Sequence, residues 1–296
     1  MSRGSIDQPL AKLGRAAYHY RVVKFDVFGG HDRQAWPVTL ERHRDGLEYR
    51  LRAPKIEPLP TDLPLIFGDA YFNLRAALDY LVFQLHLRHY RGNLPAKIVK
   101  SSAFPIYNQQ PLAKGGALLD TCNWKEIGTL GKHERTALEW LQPYKGRGSG
   151  LTKQIREALS DLSSLNNIDK HQELHVTQRI VQAVPIPDFP PEFGFQQHPA
   201  FGIPLESGAY VDTWTFAKAP PPEYLNMNFS VRTAVQIEPI IGRLEEPFHL
   251  GGSILAVEAV VKRFSRLFPP PVEPLNLSWV RMNTQLALAS PRPLDS

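Results

Sequence analysis

The amino-acid sequence predicts an α+β protein in which a three- to four-helix bundle packs beside a mainly antiparallel sheet. Long stretches with helical periodicity occupy the middle of the chain, and short runs rich in β-branched and aromatic residues lie on both sides of them. N-terminal and C-terminal strands are therefore expected to pair with each other. Because the β segments bracket the helices, residues 1–270 are predicted to form a single domain.

The individual elements follow from local signals in chain order. Strands are expected within residues 18–54, where Arg44-Asp45-Gly46 is typical of a hairpin turn. Residues 93–130 are expected to be irregular, with the segment 104–107 against the core. The proline run that follows the last helix predicts a loosely packed tail over residues 271–296. The predicted helices cover residues 62–91, 131–142, 152–177 and 251–268, and further strands are expected within residues 179–240.

Composition and charge narrow the functional classes. The formal charge of +5 over 296 residues is a weak field that tolerates an anionic partner without requiring one. A single cysteine excludes an intramolecular disulfide and gives no zinc-finger spacing. The most apolar helical stretch, residues 254–267, contains four charged residues and is too short to span a bilayer. We therefore expect a cytoplasmic protein that needs no membrane and no cofactor.

The predicted helix over residues 62–91 combines a leucine-rich core face with an unusual set of polar residues. Arg75 and Asp79 are four residues apart, so we expect them to form a salt bridge along the edge of the helix. Asn73 and Tyr80 lie away from the leucine face, and Asn has poor helix propensity, which favours a ligand contact for it. This set comprises Asp69, Asn73, Arg75, Asp79, Tyr80 and His86.

A second polar helix is predicted over residues 152–177. Asp169 falls on its apolar side, and a buried carboxylate needs a partner, for which Arg75 is a candidate. His171 and His175 are four residues apart, a spacing that can chelate a metal. However, the sequence HQELH does not match the metalloprotease pattern H-E-x-x-H. Two histidines at this spacing, without further ligands, more often have a structural role.

Four short motifs carry a resemblance to a known family. The chain contains GDAYFNLRAALDY, then FPI, then LQPY and then LNNIDKHQEL. In this order it resembles a family of uncharacterised bacterial proteins with G-D-x-x-x-N-L-R-x-A-L-D-H in one helix and N-I-D-K-H in another. The resemblance covers about residues 35–180 and implies no activity. Tyr80 stands where the family pattern has His.

The Arg and His of that family pattern are similar to the active motif of HEPN ribonucleases. In those enzymes Arg and His on a helix act on RNA phosphates, often across a dimer. The resemblance therefore implies RNA as a partner and a homodimer as the assembly. In this chain Arg75 remains, but Tyr80 replaces the His, and a phenol with a pKa near 10 is a poor base at neutral pH. One expectation is that the protein binds RNA without cleaving it. The other is that His171, on the neighbouring helix, supplies the imidazole that Tyr80 replaces.

Three functional hypotheses remain open, and whether the protein is an enzyme is left undecided. The leading one is a polar site between the two helices that binds or acts on a phosphate-bearing ligand such as RNA. Its catalytic residues would be Arg75, Asp79, Tyr80, Asp169 and His171, and Asn73 and Lys170 would bind the ligand. The second is a metal enzyme using His171, His175, Asp79 and His86. The third is a buried ion-pair network without a ligand.

Overall fold

The computed structural model describes most of the chain, and it shows the α+β class that the sequence predicts. The described residues are 4–27, 35–55, 58–146, 150–171, 175–183, 188–200, 206–225, 230–238, 244–245 and 247–288. Where the sequence predicts one domain, the chain folds into two compact units. The helical unit contains Met1–Tyr20, Leu65–Glu173 and Phe248–Ala289, and the sheet unit contains Arg21–Pro64, Leu174–Pro247 and Ser290–Ser296.

Most of the predicted helices are present in the structure. The α-helices of the described residues are α1 Asp7–Val22, α2 Leu63–His89, α3 Ala96–Ser101, α4 Lys132–Trp140, α5 Gly150–His171, α6 Pro247–Ser265 and α7 Ser278–Leu288. The predicted helices over residues 62–91, 131–142 and 251–268 correspond to α2, α4 and α6. The short helix α3 lies in a stretch that was expected to be irregular. No helix in these described parts of the chain is long and apolar enough to cross a membrane.

The N-terminal region corrects one prediction. Residues 18–27 are not a strand: α1 runs to Val22 and continues as a π-helical turn over Val23–Val27. In α1 the residues Leu13, Ala16 and Tyr20 are buried, at spacings of three and four that place them on one helical face. Burial of this face outweighs the strand preference of the β-branched and aromatic residues that follow it.

The predicted helix over residues 152–177 is also too long. Helix α5 ends at His171, and strand β4 begins at His175, so the two histidines do not share a helix. Strand β4 is nine residues long and pairs antiparallel with β7, with Val176 opposite Ile237. Backbone pairing across the sheet therefore determines the structure of a segment whose sequence alone also fits a helix. The expectation that His171 and His175 lie one turn apart on a helix is therefore wrong.

The C-terminal segment is a third correction, because residues 271–296 include a packed helix rather than only a loose tail. Leu277 and Val280, at the start of α7, are 2% and 0% exposed. Trp279 stacks on Tyr20 of α1 with ring centroids 5.4 Å apart. The guanidinium of Arg281 also pairs with the buried carboxylate of Glu258 on α6. Helix α7 is therefore part of the helical unit.

In its described residues, the sheet unit contains two antiparallel four-stranded sheets. Its strands are β1 Ala35–Pro37, β2 Thr39–His43, β3 Glu48–Arg52, β4 His175–Ala183, β5 Gln196–Pro199, β6 Tyr210–Thr215, β7 Ser230–Glu238 and β8 Leu244–Glu245. One sheet has the order β1-β7-β4, with β8 also paired to β7, and the other has the order β2-β3-β6-β5. Each sheet joins an N-terminal strand to a later one, as predicted. The predicted hairpin joins β2 and β3, and Arg44, Asp45 and Gly46 all have positive φ.

A buried carboxylate lies in the second sheet. Asp212 on β6 is 1% exposed and accepts hydrogen bonds from the indole Nε1 of Trp214 and the amide Nε2 of Gln197. Burial raises the pKa of the Asp212 carboxyl above its ordinary value, and the hydrogen bonds only partly oppose this effect. The folded protein therefore holds this proton more tightly than the unfolded chain does.

This raised pKa predicts a pH-dependent effect of Asp212→Asn. A raised native pKa stabilises the fold at low pH, and the contribution is lost as the pH rises through the native pKa. Because Asn does not titrate, the variant does not lose this contribution. Its free energy of unfolding should therefore increase relative to that of wild type as the pH is raised from about 4 to about 7. Urea denaturation at both pH values measures this. A difference between Asp212→Asn and wild type that stays the same at both pH values would contradict the argument.

Candidate functional site

Helix α2 carries most of the residues that the sequence singled out. Its leucine face is buried as expected, with Leu74, Leu78 and Leu81 all 0% exposed. The other side of the helix presents two aromatic side chains, Phe72 at 49% and Tyr80 at 37% exposure. We call these two side chains the aromatic ridge. An exposed ridge of this kind on a buried helix is a candidate contact surface.

The predicted salt bridge between Arg75 and Asp79 is present and has a third partner. The Nη2 of Arg75 lies 3.0 Å from Oδ1 of Asp79. The same Nη2 donates to the carbonyl oxygen of Phe104 at 2.7 Å, and the backbone N–H of Phe104 donates to Asp79 at 2.8 Å. The ion pair therefore binds both backbone polar groups of a residue that is itself fully buried. A fully buried backbone needs such partners.

Gln142 holds the same segment from the other side. It is 0% exposed, and its Oε1 accepts from the backbone N–H of Tyr107 at 2.9 Å. Its Nε2 donates to the carbonyl oxygens of Pro105 and Leu138 at 2.8 and 3.0 Å. We call Arg75, Asp79 and Gln142 the backbone clamp. Three of the motifs that carry the family resemblance thus meet at one structural feature, and the segment 104–107 packs on the core as predicted.

His86 and Asn73 have local structural partners. His86 is 0% exposed; its Nε2 lies 2.9 Å from the carbonyl oxygen of Glu126, and its Nδ1 lies 3.3 Å from Oγ1 of Thr129. A carbonyl only accepts, so the proton is on Nε2, and burial lowers the pKa of the ring. Asn73 donates to the carbonyl oxygen of Asp69 in its own helix at 2.7 Å. With both ring nitrogens engaged, His86 has no nitrogen free for a metal.

The remaining predicted site residues fall in or beyond the end of α5. The side chains of Asp169, Lys170, His171 and His175 lie outside the described residues, so the contact between Asp169 and Arg75 stays a prediction. Among the side chains that are described, no group of three or more His, Cys, Asp or Glu residues could hold a metal ion.

A groove that the sequence did not predict lies between α1 and the aromatic ridge. Its cavity volume is about 530 Å³. The ammonium group of Lys12 lies over both ridge rings, 5.8 Å from the centroid of Phe72 and 6.0 Å from that of Tyr80. The amide of Gln84 on α2 bonds Gln8 on α1 at 3.1 Å and fixes this spacing. We call it the basic groove; its lining residues are Gln8, Ala11, Lys12, Arg15, His19, Asp69, Phe72, Asn73 and Tyr80.

The charges of the basic groove favour an anion. Lys12 and Arg15 are cations, and the guanidinium carbon of Arg15 lies 5.1 Å from the ring centroid of Tyr18. His19 is buried, with Nε2 at 4.0 Å from the Asp69 carboxylate. Burial lowers the pKa of His19; Asp69 opposes this effect and Arg15 adds to it. At neutral pH the groove therefore holds two cations against one carboxylate, beside a neutral imidazole.

Sequence reasoning missed Lys12, Arg15 and His19 because it predicts no helix before residue 62, whereas α1 spans Asp7–Val22. The signal that identifies them is the spacing of Leu13, Ala16, Ala17 and Tyr20, which puts an apolar stripe along one face of a helix. Lys12 and Arg15 are three residues apart, so they are neighbours on the surface of helix α1.

A smaller pocket lies on the other side of the aromatic ridge. Its volume is about 300 Å³, and it is lined mainly by apolar side chains of α2 together with one residue from the end of α3. We call it the apolar pocket; its lining residues are Phe72, Arg75, Ala76, Asp79, Tyr80, Phe83 and Ser102. The basic groove and the apolar pocket therefore share the two ridge rings as a common wall.

Comparisons with protein-family models, with curated proteins and with solved structures found no significant match.

Proposed function

We propose that the basic groove and the aromatic ridge bind a phosphate-bearing ligand, with single-stranded RNA as the expected form. The observation that carries this proposal is the position of Lys12, whose ammonium lies about equally far from the rings of Phe72 and Tyr80. A cation between two exposed aromatic rings offers one partner for a phosphate and two stacking surfaces for bases. Proteins that bind single strands combine these same elements.

The dimensions of the ridge suit more than one base. Phe72 and Tyr80 are eight residues apart on a helix, which separates them by about 12 Å along its axis. Each ring is exposed enough to stack on a separate base. Arg15 lies one turn from Lys12 and supplies a second phosphate contact. This arrangement needs no contribution from Asp169, Lys170 or His171.

The HEPN resemblance supports RNA as the ligand but not a catalytic function of the predicted residues. Arg75 is bound to Asp79 and to the backbone of Phe104, so stabilising a phosphorane would require it to leave these partners. Tyr80, which stands where the family pattern has His, forms part of the ridge. The proposal is therefore binding of RNA without cleavage by this helix.

A structural role is the second candidate function, and it applies to the backbone clamp alone. Arg75, Asp79 and Gln142 all bind buried backbone groups of the segment 104–107. This favours the ion-pair hypothesis for Arg75 and Asp79. It does not involve Lys12, Arg15 or the ridge.

The groove predicts a specific effect of Lys12→Gln. Removing this cation should weaken binding of a short fluorescein-labelled single-stranded RNA about tenfold at low salt, because one phosphate contact is lost. The slope of log K against log salt should also decrease by about 0.7 for each single-strand phosphate contact removed. Fluorescence anisotropy over a salt series measures both quantities.

Lys153→Gln is the matched control. Lys153 lies on α5 in the same unit, its side chain is 48% exposed, and its substitution changes the net charge equally. It should leave both the affinity and the salt slope close to those of wild type. If wild-type protein binds no RNA at about 50 mM salt, or if both variants lose affinity equally, the proposed site is wrong.

A further inference from the structure

We infer that His19 is the third phosphate contact of the basic groove and that its imidazole takes up a proton when the ligand binds, so that binding depends on pH. This inference rests on the proposed function and identifies how binding at the same site is regulated. The free groove presents two cations at neutral pH, and the occupied groove presents three.

Helix α1 places His19 in line with the two cations. Arg15 and His19 follow Lys12 by three and seven residues, so all three lie on one face of the helix, within about 10 Å along its axis. All three also line the same groove. A phosphate chain that contacts Lys12 and Arg15 and continues along this face therefore reaches the imidazole next.

The imidazole of His19 is almost buried, yet the fold does not use its nitrogens. The side chain is 9% exposed, and Nε2 lies 4.0 Å from the Asp69 carboxylate, which is beyond hydrogen-bond distance. Neither ring nitrogen forms a hydrogen bond with a residue that the structure describes, and neither is sealed from solvent. Both ring nitrogens of His86, by contrast, have partners within the fold. A phosphate oxygen in the groove would supply the partner that His19 lacks.

The surroundings of His19 determine when it carries a proton. Burial lowers the pKa of the ring below its ordinary value; Asp69 partly opposes this effect and Arg15 adds to it. A bound phosphate is an opposite charge, and an opposite charge within about 4–6 Å raises such a pKa by about 1 or more. The charged and titratable side chains that share this environment are Lys12, Arg15 and Tyr18 on α1 and Asp69 and Tyr80 on α2.

The difference between the two states sets the direction of the pH dependence. Above the pKa that His19 has in the complex, the ring is neutral with and without the ligand, so its proton does not affect affinity. As the pH falls toward the lower pKa of the free protein, the complex is protonated first, and affinity rises. A pKa that is higher by about 1 in the complex corresponds to a gain of about tenfold.

Isothermal titration calorimetry with a short oligouridylate tests this dependence. The oligomer carries no terminal phosphate, because a phosphate monoester itself titrates near pH 6. At constant low salt, wild type should bind about tenfold more tightly at about pH 5.5 than at about pH 7.5. His19→Gln cannot take up the proton and should lose most of this gain. His133→Gln, at an exposed position of α4, is the matched control and should keep the gain of wild type.

Proton uptake by the wild type tests the inference without any variant. Calorimetry at about pH 6.5 in two buffers of different ionisation enthalpy should show that a fraction of a proton is taken up on binding. Binding without proton uptake, or an equal gain in wild type and in folded His19→Gln, would overturn the role of His19 and leave the basic groove intact. Absence of binding by wild type at every pH would overturn the proposed function and this inference together.

Discussion

Gln142→Ala should lower the free energy of unfolding by about 4 kcal/mol, the largest stability effect expected for any polar residue of the backbone clamp. The substitution removes three hydrogen bonds of a fully buried side chain. It leaves the N–H of Tyr107 and the carbonyl of Pro105 without this partner, each at a cost of about 1–3 kcal/mol. The space vacated by the amide adds a cavity term. Urea denaturation followed by circular dichroism measures the change.

The exposed Gln109→Ala is the control for this prediction. Surface substitutions of this kind usually change stability by less than about 0.5 kcal/mol. A loss below about 1 kcal/mol in Gln142→Ala would mean that water replaces the amide and that the clamp does not hold the segment 104–107. In that case the structural interpretation of Arg75 and Asp79 would also weaken.

The double substitution Phe72→Ala and Tyr80→Ala should reduce RNA affinity about thirtyfold or more while the protein remains folded. Stacking of a base on an aromatic side chain contributes about 1–3 kcal/mol, and two surfaces are removed. Both rings are exposed, so the core loses little when they are truncated. Fluorescence anisotropy with single-stranded RNA at low salt gives the affinity, and thermal unfolding checks the fold.

Leu65→Ala is the matched control for the ridge, because Leu65 is on the same helix and is 72% exposed. Its truncation removes apolar surface outside the groove and should leave RNA affinity unchanged. If the double variant binds RNA as tightly as wild type, stacking on the ridge is excluded. Equal losses in the double variant and in Leu65→Ala would show nonspecific contact with this face of α2 rather than base stacking.

Local sequence signals determined much of the fold. The helix over residues 62–91 was predictable because its leucine face repeats at helical spacing, and α2 spans Leu63–His89. The salt bridge between Arg75 and Asp79 was predictable for the same reason, since residues four apart on a helix are neighbours. The hairpin at Arg44-Asp45-Gly46 followed from turn chemistry. In each case the interacting residues are close in the chain.

Contacts between distant parts of the chain were not predictable from these signals. Residues 175–177, at the start of β4, fit a helix by pattern, but hydrogen bonds to β7, some 60 residues later, make them part of a strand. The sequence predicts that residues 278–288 belong to a loose tail. In the structure they form helix α7, and Val280 of this helix is buried. Local propensity amounts to tenths of a kcal/mol per residue, whereas burial of a large apolar side chain is worth about 1.5–3 kcal/mol.

The candidate site shows the same division. The sequence by itself determined that α2 carries Asn73, Arg75, Asp79 and Tyr80 among its leucines. Only the tertiary structure decided their partners, because the backbone of Phe104 lies 29 residues beyond Arg75 and occupies both members of the ion pair. Likewise, Lys12 reaches Tyr80 only because α1 packs along α2. The physical reason is that a side chain's position on its own helix follows from local periodicity, whereas its partners depend on how distant segments pack.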